Sequence, residues 1–483
     1  MSRPTSRPSR RSFLKKTAAA AAATSLALVS ADTYGRVLGA NDRVNVGVAG
    51  IRGRGRSHAK AFAAIEGVQV SYLIDPDSSL FDSRKKTVQE IASNEPKTVQ
   101  DVRVALDDKG LDAIVIATCN HWHSLMTIWG CQAGKDVYVE KPLSHNVHEG
   151  RVAVEMARNY NRIVQHGTQQ RSTMGRAKEI AAVQSGQYGK LLVSKGYCCK
   201  PRWSIGTKPF EAPPAHLDFN LWLGPAPEQP YHGNLVHYNW HWFWDMGNGD
   251  IGNQGVHEMD IARWAIKGAT LPKRIWSLGG RFGYEDQGQT PNTQMTVYDY
   301  GETLLVFEVR GLVGEPSKDT RRVANEYYTE AGMITDGKLH PKNGGKPEPI
   351  VDVDVSLNPG DIRQNFINAV RSRKQSDLNA DVLKGHYSSA LCHLGNISYR
   401  LGEEVPFNEK TKALGENTVV HDTFKALENN LGNGVGLKLD GLKYQLGREL
   451  TFDPETEKFV GDEQANRMLT REYREPFSVP RIS

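Results

Sequence analysis

One stretch near the start of the chain, RVNVGVAGIRGRGRSHAKAFAAI, restricts the fold more than any other. Its β-branched segment from Val44 to Ala49 predicts a strand, and apolar residues at helical spacing predict a helix after a glycine-rich turn. A second predicted strand, VQVSYLIDPD, ends on an acidic residue. This is the layout of a dinucleotide-binding fold, in which glycines let the backbone approach the pyrophosphate and the acid accepts hydrogen bonds from the ribose. We therefore expect cofactor contacts from Gly50, Ile51, Arg52, Gly53, Gly55 and Asp75.

The carboxylate of Asp75 also favours NAD over NADP, because it would repel a 2′-phosphate. One position departs from the usual G-x-G-x-x-G pattern, since Arg52 stands where the second glycine would fall and Gly53 follows it. The fold prediction is supported by further strand and helix signals in alternation. Strands are predicted at 112–118, 136–140 and 162–168, with helices from about Ser124 and about Val147. The pattern predicts an α/β fold with a doubly wound parallel sheet.

The first 31 residues predict a twin-arginine export signal. Arg10 and Arg11 precede Phe13 and Leu14, an alanine-rich segment follows, and Val29-Ser30-Ala31 has the character of a cleavage site. The apolar segment is too short to span a bilayer. We expect a soluble periplasmic protein with no membrane anchor, exported already folded.

Charge and cysteine content exclude several classes of partner and fold. The signal carries six basic residues and no acidic one, which leaves 54 basic against 55 acidic residues in the rest of the chain. A nearly neutral protein argues against nucleic acid or an anionic membrane as partner. The five cysteines are scattered and lack metal-ligand spacing, so neither a disulfide framework nor a zinc cluster is expected.

Several motifs together resemble the glucose-fructose oxidoreductase / inositol dehydrogenase / rhizopine catabolism (Gfo/Idh/MocA) family, in its exported bacterial branch. These are YVEKPLS, ATCNHWHSL, GTQQRS, GDIGNQGVHEMDIARW, GHYSSALCHLGNISYRLG and the tail REYREPFSVP. The resemblance implies a Rossmann domain over 42–168 and, over 169–483, an α/β domain with a large, mostly antiparallel open sheet. Candidate strands of that sheet lie at 191–198, 274–282, 294–300 and 303–310. An uncovered sheet face in relatives often forms an interface, so a homodimer or homotetramer is expected.

The resemblance also implies further contacts with a tightly bound NAD. These cofactor-binding residues are Thr118, Asn120, His123, Glu140, Lys141 and Gln169.

Two residues are expected to do the chemistry of oxidising an alcohol, in which a hydride leaves carbon while a base takes the hydroxyl proton. Lys141 follows a parallel strand at the edge where ligands bind, and its neighbour Pro142 can take the cis form. His257 is the second candidate. Relatives place an aspartate four residues before this histidine on one helical face, whereas this chain has Asn253, which cannot accept a proton. Asn253 is therefore expected to bind substrate.

An aromatic-rich region is expected to bind the sugar. Six of the nine tryptophans lie between positions 203 and 264, and tryptophan faces suit the C–H face of a sugar ring. The expected substrate-binding residues, in addition to Asn253, are Asp260, Trp240, His241, Trp244 and Arg171. The i, i+2 spacing of His121 and His123 points the two rings apart, so no catalytic metal is expected.

These features predict an NAD-dependent oxidoreductase acting on a sugar or glycoside, with C3 of the ring as one candidate position. Because the periplasm offers no pool of NAD, such an enzyme would keep its coenzyme and reoxidise it in place. Two alternatives remain open. One is a glycosidase that oxidises its substrate transiently and eliminates the aglycone, and the other is a catalytically silent sugar-binding protein, which the departures at Arg52 and Asn253 would allow.

Overall fold

A computed structural model describes residues 43–314, 322–407 and 414–481 of the 483-residue chain. The predicted export signal over residues 1–31 lies outside the described residues. No helix among the described residues is long and apolar enough to cross a membrane.

The first sheet has six parallel strands in the order β3-β2-β1-β4-β5-β6. They are β1 (Val44–Ala49), β2 (Val68–Ile74), β3 (Lys97–Val99), β4 (Ala113–Ile116), β5 (Asp136–Val139) and β6 (Val164–His166). The helices between them are α1 (Arg54–Ala63), α2 (Phe81–Ala92), α3 (Val102–Leu106), α4 (Asn120–Gln132) and α5 (Val147–Asn159). The strand order reverses between β1 and β4, which is where ligands bind in such sheets.

Both faces of this sheet are buried, which explains why its strands are continuous apolar runs. Ile114 and Ile116 face one side and pack with residues of α4 and α5. Ala113 and Val115 face the other side and pack with α1. A helix from far along the chain, Ile362–Ser372, inserts Phe366 into this second layer. The first sheet is therefore closed by residues that lie almost 200 positions after its last strand.

The second sheet has twelve strands, and neighbouring strands are antiparallel except for β7 and β10. Its strands are β7 (Leu191–Cys199), β8 (Arg274–Gly280), β9 (Thr293–Asp299), β10 (Leu304–Arg310), β11 (Val323–Thr329), β12 (Gly332–Thr335), β13 (Lys338–Pro341), β14 (Glu348–Pro349), β15 (Glu403–Pro406), β16 (Lys443–Leu446), β17 (Leu450–Asp453) and β18 (Lys458–Phe459). The predicted fold class, a parallel Rossmann sheet followed by a larger, mostly antiparallel sheet, is confirmed.

Helices pack on both faces of the second sheet. The remaining helices are α6 (Met174–Gln184), α7 (Phe219–Leu223), α8 (Gly249–Asn253), α9 (Gly255–Ala265), α10 (Ile362–Ser372), α11 (Val382–Arg400), α12 (Thr418–Asn429) and α13 (Glu463–Arg467). Helices α9 and α11 share a core with β8 to β10 on one face, and α12 packs on the other. Because α11 also contacts α5, it joins the two sheets.

One predicted helix start is wrong. Helix α4 begins at Asn120 and not near Ser124, directly after Cys119 in an extended conformation. Cys119 makes no side-chain capping contact, so the usual sequence signal for a helix start is missing. The difference places Asn120 and His123 in the first turn of α4, beside the end of β4.

Candidate active site

The glycine turn after β1 forms the floor of the site. Gly50 has φ +78°, and a Cβ there would lie 2.5 Å from the carbonyl oxygen of Ala117. A Cβ at Gly55 would lie 1.7 Å from the carbonyl oxygen of Gly50. A Cβ at Gly53 would meet nothing within 4 Å. The close approaches that require glycine are therefore at 50 and 55, and Arg52 occupies neither position.

Asp75 follows β2 and is held by the same turn. Its Oδ2 accepts from the backbone N–H of Ile51 at 2.9 Å, and its Oδ1 accepts from the N–H of Asp77 at 3.0 Å. Ile51 contributes this N–H while its side chain packs in the core. Burial raises the pKa of Asp75 to about 6. A buried carboxylate with spare acceptor capacity suits the two hydroxyl groups of a ribose.

A cavity of about 580 Å³ extends from the glycine turn to helices α8 and α9. It brings together fourteen of the residues predicted to contact cofactor or substrate: Gly50, Arg52, Gly53, Asp75, Thr118, Asn120, His123, Glu140, Lys141, Gln169, Trp240, His241, Asn253 and His257. Gly55 and Ile51 do not line the cavity, but both contribute to the conformation of the glycine turn. The predicted residues thus come from seven separate segments of the chain.

Glu140, at the end of β5, is the centre of a buried hydrogen-bond network. Its Oε1 accepts from Arg54 Nε at 2.7 Å, from His58 Nε2 at 2.8 Å and from Gln169 Nε2 at 3.1 Å. Arg363 Nε, on α10, donates to His58 Nδ1 at 3.1 Å, which fixes the neutral tautomer that donates through Nε2. Burial acts to raise the pKa of Glu140, but the contact with His58 and the charges of its cationic neighbours hold it well below its usual range.

The His58 contact gives a testable prediction. His58→Ala leaves a buried, ionised Glu140 without one of its donors, so we expect the free energy of unfolding to fall by about 1–3 kcal/mol. Denaturant unfolding measures this change. The exposed His216, replaced by alanine, is the matched control and is expected to change little. Equal stability of the two variants would show that His58 does not hold Glu140.

Lys141 lies next to this network. Its Nζ donates to the backbone carbonyl of Asn253 at 2.6 Å, and the Lys141–Pro142 peptide bond is cis. Burial lowers the pKa of Lys141, while the charge of Glu140 acts in the opposite direction. A lysine with a lowered pKa is a better proton acceptor near neutral pH than an exposed one.

His257 lines the same part of the cavity, on α9. Burial, reinforced by the charge of Lys141, lowers its pKa to about 3, so the ring is neutral at physiological pH. Asn253 ends α8, and Gln254 separates the two helices, yet Asn253 and His257 both reach the cavity. Asn253 contributes its carbonyl oxygen to Lys141, and its amide lies 3.4 Å from Asp250. A lysine and a neutral imidazole therefore share one wall.

Three residues predicted to bind substrate do not line this cavity. Asp260 is fully buried and paired with Arg171, whose Nε lies 2.8 Å from Asp260 Oδ2. The two opposite charges compensate each other inside the protein, and neither side chain lines the cavity. Trp244 lies under Arg400, whose guanidinium is 4.9 Å from the indole ring. Asp250, another residue near His257 in the chain, pairs with Arg202 at 2.6 Å.

Aromatic residues form another part of the cavity wall. Trp240 and His241 stack with ring centroids 3.6 Å apart, and burial lowers the pKa of His241 to about 3. The cavity is also lined by five residues that the sequence did not indicate as cofactor or substrate contacts: Arg54, Cys119, Trp222, His237 and Tyr238. Trp222 and Tyr238 belong to the aromatic-rich region, whereas nothing in the sequence distinguished Arg54 from its basic neighbours.

The donors present fit a dinucleotide better than a metal ion. The turn leaves space at Gly53 for close backbone approach, and Asp75 offers acceptors at the ribose position. Over 43–314, 322–407 and 414–481, no three His, Cys, Asp or Glu side chains are grouped in a way that could hold a metal. All five cysteines are described and carry free thiols.

Comparison with known protein families matches two models. Residues 44–168 match the Gfo/Idh/MocA oxidoreductase family, NAD-binding Rossmann fold, and residues 181–430 match its C-terminal alpha/beta domain. Among solved structures, levoglucosan dehydrogenase in complex with NADH is similar with a TM-score of 0.54 and 16% identity, covering 72% of this chain and 95% of that one. The WlbA dehydrogenase of Bordetella pertussis, in complex with NADH and UDP-GlcNAcA, has a TM-score of 0.51 and 15% identity, covering 72% and 94%. At these identities the likeness shows the fold.

Curated relatives match over shorter stretches. A glycosyl hydrolase family 109 protein of Shewanella sp. strain ANA-3 is 30% identical over 158 residues, 29% of this chain and 35% of the relative. The scyllo-inositol 2-dehydrogenase (NAD(+)) of Bacillus subtilis is 28% identical over 176 residues, 36% of this chain and 47% of the relative. The chain thus spans between a third and a half of the length of these relatives. Since the two family models together cover most of the described chain, this protein belongs to the Gfo/Idh/MocA oxidoreductase family and has its NAD-binding Rossmann domain.

Proposed function

We propose that the protein oxidises a hydroxyl group of a sugar or glycoside and passes the hydride to a tightly bound NAD. One observation supports this most strongly. Lys141 and His257, two groups able to accept a proton, line the same cavity as the glycine turn and Asp75. A site with a dinucleotide floor and proton acceptors at its far end has the parts that alcohol oxidation needs.

Each residue of the site has a part in this proposal. The nicotinamide ring, when bound, supplies the hydride acceptor. Lys141 Nζ, held by the Asn253 carbonyl, takes the hydroxyl proton, and the neutral His257 accepts a hydrogen bond from the substrate or the proton itself. Glu140 keeps an ionised carboxylate beside Lys141 and limits how far the pKa of the lysine falls. The stacked Trp240 and His241 exclude water and offer a flat apolar surface to the C–H face of a sugar.

The titration of Asp75 predicts how NAD binding depends on pH. Because the ionised carboxylate accepts from the ribose hydroxyls and its pKa is about 6 without ligand, NAD affinity is expected to rise as pH increases toward 6 and to level off above it. Calorimetric titrations from pH 5 to pH 8 measure this. Asp75→Asn is expected to lose the pH dependence and to bind about 10–100-fold more weakly at pH 8. The exposed Asp107, replaced by asparagine, is the control, and a pH profile unchanged by Asp75→Asn would contradict the assignment.

The names of relatives support a sugar-like substrate. Levoglucosan, an inositol and a nucleotide sugar acid appear in the names of proteins with the same fold or with local sequence similarity. All three are polyols or cyclic sugar derivatives with several hydroxyl groups. The proposal extends this class to the present protein and leaves the substrate open between a free sugar and a glycoside, with oxidation at C3 as one outcome.

A second candidate function is favoured by the relative that is named a glycosyl hydrolase of family 109. In such a reaction a hydroxyl of the glycoside would be oxidised transiently, with bound NAD holding the hydride, and a base of this chain would remove the acidified neighbouring C–H proton as the aglycone leaves. Addition of water and return of the hydride would then give net hydrolysis with no net change in the coenzyme. Lys141 and His257 would again supply the base.

Export and cofactor retention complete the proposal. We propose that the protein acts in the periplasm, carries NAD with it and forms a homodimer or homotetramer. Native mass spectrometry of protein from the exported fraction, followed by a panel of sugars and glycosides, tests these points together. Retained NAD and accumulation of a ketosugar with reduced nicotinamide support the oxidoreductase. Release of aglycone without net reduction supports the glycosidase, and no reaction with any compound of the panel contradicts both.

A further inference from the structure

A second cavity, of about 560 Å³, lies at the C-terminal end of α9, about two turns along the helix from His257. It is formed where the segment after β6, the end of α9 and the start of α11 meet two loops near positions 357 and 378. We call it the basic pocket, because its charged lining residues are Arg171, Arg263 and Lys384. No carboxylate side chain is among the described residues that line it.

The cations of the basic pocket are under-neutralised. Arg171 and Arg263 share one buried carboxylate, Asp260, with nitrogen to oxygen distances of 2.8 Å and 3.7 Å. Lys384 has no carboxylate within salt-bridge distance among the described residues, and the nearby Asp381 is paired with Arg158 at 2.5 Å. Burial lowers the pKa of Arg263, and the charge of Arg171 lowers it further. Three cations against one carboxylate leave an excess of positive charge in a partly buried site.

Two side chains of the basic pocket have hydrogen-bond donors that could bind a ligand. The contacts of Arg171 with Asp260 use Nε and Nη2, and within the described ranges Nη1 has no hydrogen-bond partner. Lys384 Nζ makes one hydrogen bond, to the carbonyl of Asn379 at 3.2 Å, and has three protons to donate. Arg171 is 4% exposed, so its free donor belongs to a buried side chain and not to a mobile one at the surface.

The remaining wall suits an organic ligand. Trp264 lies against Arg171, with its ring 4.7 Å from the guanidinium, and Asn358 and Asn379 add amide groups. A volume of about 560 Å³ exceeds what an inorganic ion needs and falls in the range of small-molecule sites. An aromatic face next to amides and cations is a combination that recognises a polyol carrying a negative charge.

We propose that the basic pocket binds an anionic sugar-sized molecule, through a phosphate or carboxylate held by Arg171, Arg263 and Lys384. The site is separate from the cavity of the proposed reaction and does not depend on it. The two are close in the chain, since Gln169 donates to Glu140 while Arg171, two residues later, lines the basic pocket. Asp260 likewise follows His257 by three residues on α9.

The test uses the full protein saturated with NAD, so that the dinucleotide site cannot bind the probe. Inorganic phosphate, glucose 6-phosphate and glucuronate are titrated by calorimetry at constant ionic strength, with glucose as the uncharged control. We expect saturable binding of at least one charged probe that Lys384→Ala weakens, whereas any binding of glucose belongs to the other cavity and is expected to be unchanged in Lys384→Ala. Phosphate-bearing and carboxylate-bearing probes distinguish the two sources of negative charge.

Variants assign the binding to this pocket. Lys384→Ala removes an exposed side chain and is expected to weaken binding at least tenfold, while the exposed Lys109→Ala serves as the matched control. Arg171→Lys keeps the charge but loses the two-pronged contact with Asp260, and thermal unfolding shows whether it folds. The proposal is overturned if no charged probe binds, or if Lys384→Ala and Lys109→Ala bind alike. Either result would leave the proposed oxidation at the other cavity untouched.

Discussion

Lys141→Ala is expected to lower kcat by about 10²–10⁴-fold, the range that general acid–base groups contribute, while the affinity for NAD changes only a few-fold. The reason is geometric. Lys141 Nζ lies 2.6 Å from the Asn253 carbonyl, in the same wall as His257, and it does not support the glycine turn or Asp75. Steady-state rates with a substrate identified by the panel, together with calorimetric NAD binding, separate loss of chemistry from loss of cofactor.

Two further variants sharpen this result. Lys141→Arg keeps a positive charge but cannot release its proton, so it is expected to be as inactive as the alanine variant if Lys141 is the base. Lys200, an exposed lysine 3.4 Å from Gln254, is the matched control, and its alanine variant is expected to remain active. If Lys141→Ala retains more than about a tenth of the native rate, proton transfer belongs to another group, with His257 the remaining candidate.

The site residues that could be predicted from the sequence are those whose residue type and whose position after a strand or in a turn both indicate the same role. Asp75 had to follow a strand, and the turn had to contain glycine wherever the backbone approaches itself. Both conditions can be recognised within a short segment of the sequence. Lys141 was predictable for the same reason, because it follows a parallel strand whose end must lie at the ligand edge. The predicted cofactor contacts meet in one cavity because most of them follow strands that end at the same edge of the first sheet, and Trp240, His241, Asn253 and His257 reach it from the later part of the chain.

The predicted substrate residues that do not line the cavity are those whose partners are distant in the chain. Asp260 is three residues from His257, and proximity in sequence indicated a role in the site. In the structure it pairs with Arg171, 89 positions earlier, and both side chains are buried. Trp244 shares its tryptophan-rich segment with Trp240 but stacks under Arg400. Side-chain composition identified the region that forms the wall but not which rings face inward.

The hydrogen bonds that hold Glu140 could not be predicted from the sequence either. His58 had the appearance of an ordinary polar residue on an amphipathic helix, and Arg363 lies 305 positions away from it. Their contact exists only because α10 returns to cover the first sheet and inserts Phe366 beside α1. The consequence is a physical link between the later part of the chain and the proposed base, since Arg363 orients His58, and His58 holds the carboxylate next to Lys141.

Gly55→Ala is expected to abolish NAD binding and to cost at least about 1–3 kcal/mol of stability, because its methyl group would lie 1.7 Å from the carbonyl oxygen of Gly50. Backbone atoms cannot yield as a flexible side chain can, so α1 must move away from the turn. Gly53→Ala is the informative comparison. A Cβ there meets nothing within 4 Å, so this variant is expected to fold with native stability, and any loss of NAD affinity would come from contact with the cofactor alone.

Thermal unfolding with and without NAD distinguishes these outcomes. Gly55→Ala is expected to have a lower midpoint that NAD does not raise, and Gly53→Ala a native midpoint in the absence of NAD. Gly175→Ala, also in open space but on α6 away from the cavity, controls for the general effect of replacing a glycine. If Gly55→Ala binds NAD like the native protein, the dinucleotide does not rest on this turn. That result would indicate that the change at Arg52 has removed the dinucleotide-binding function of the motif. It would support the alternative of a sugar-binding protein without catalysis.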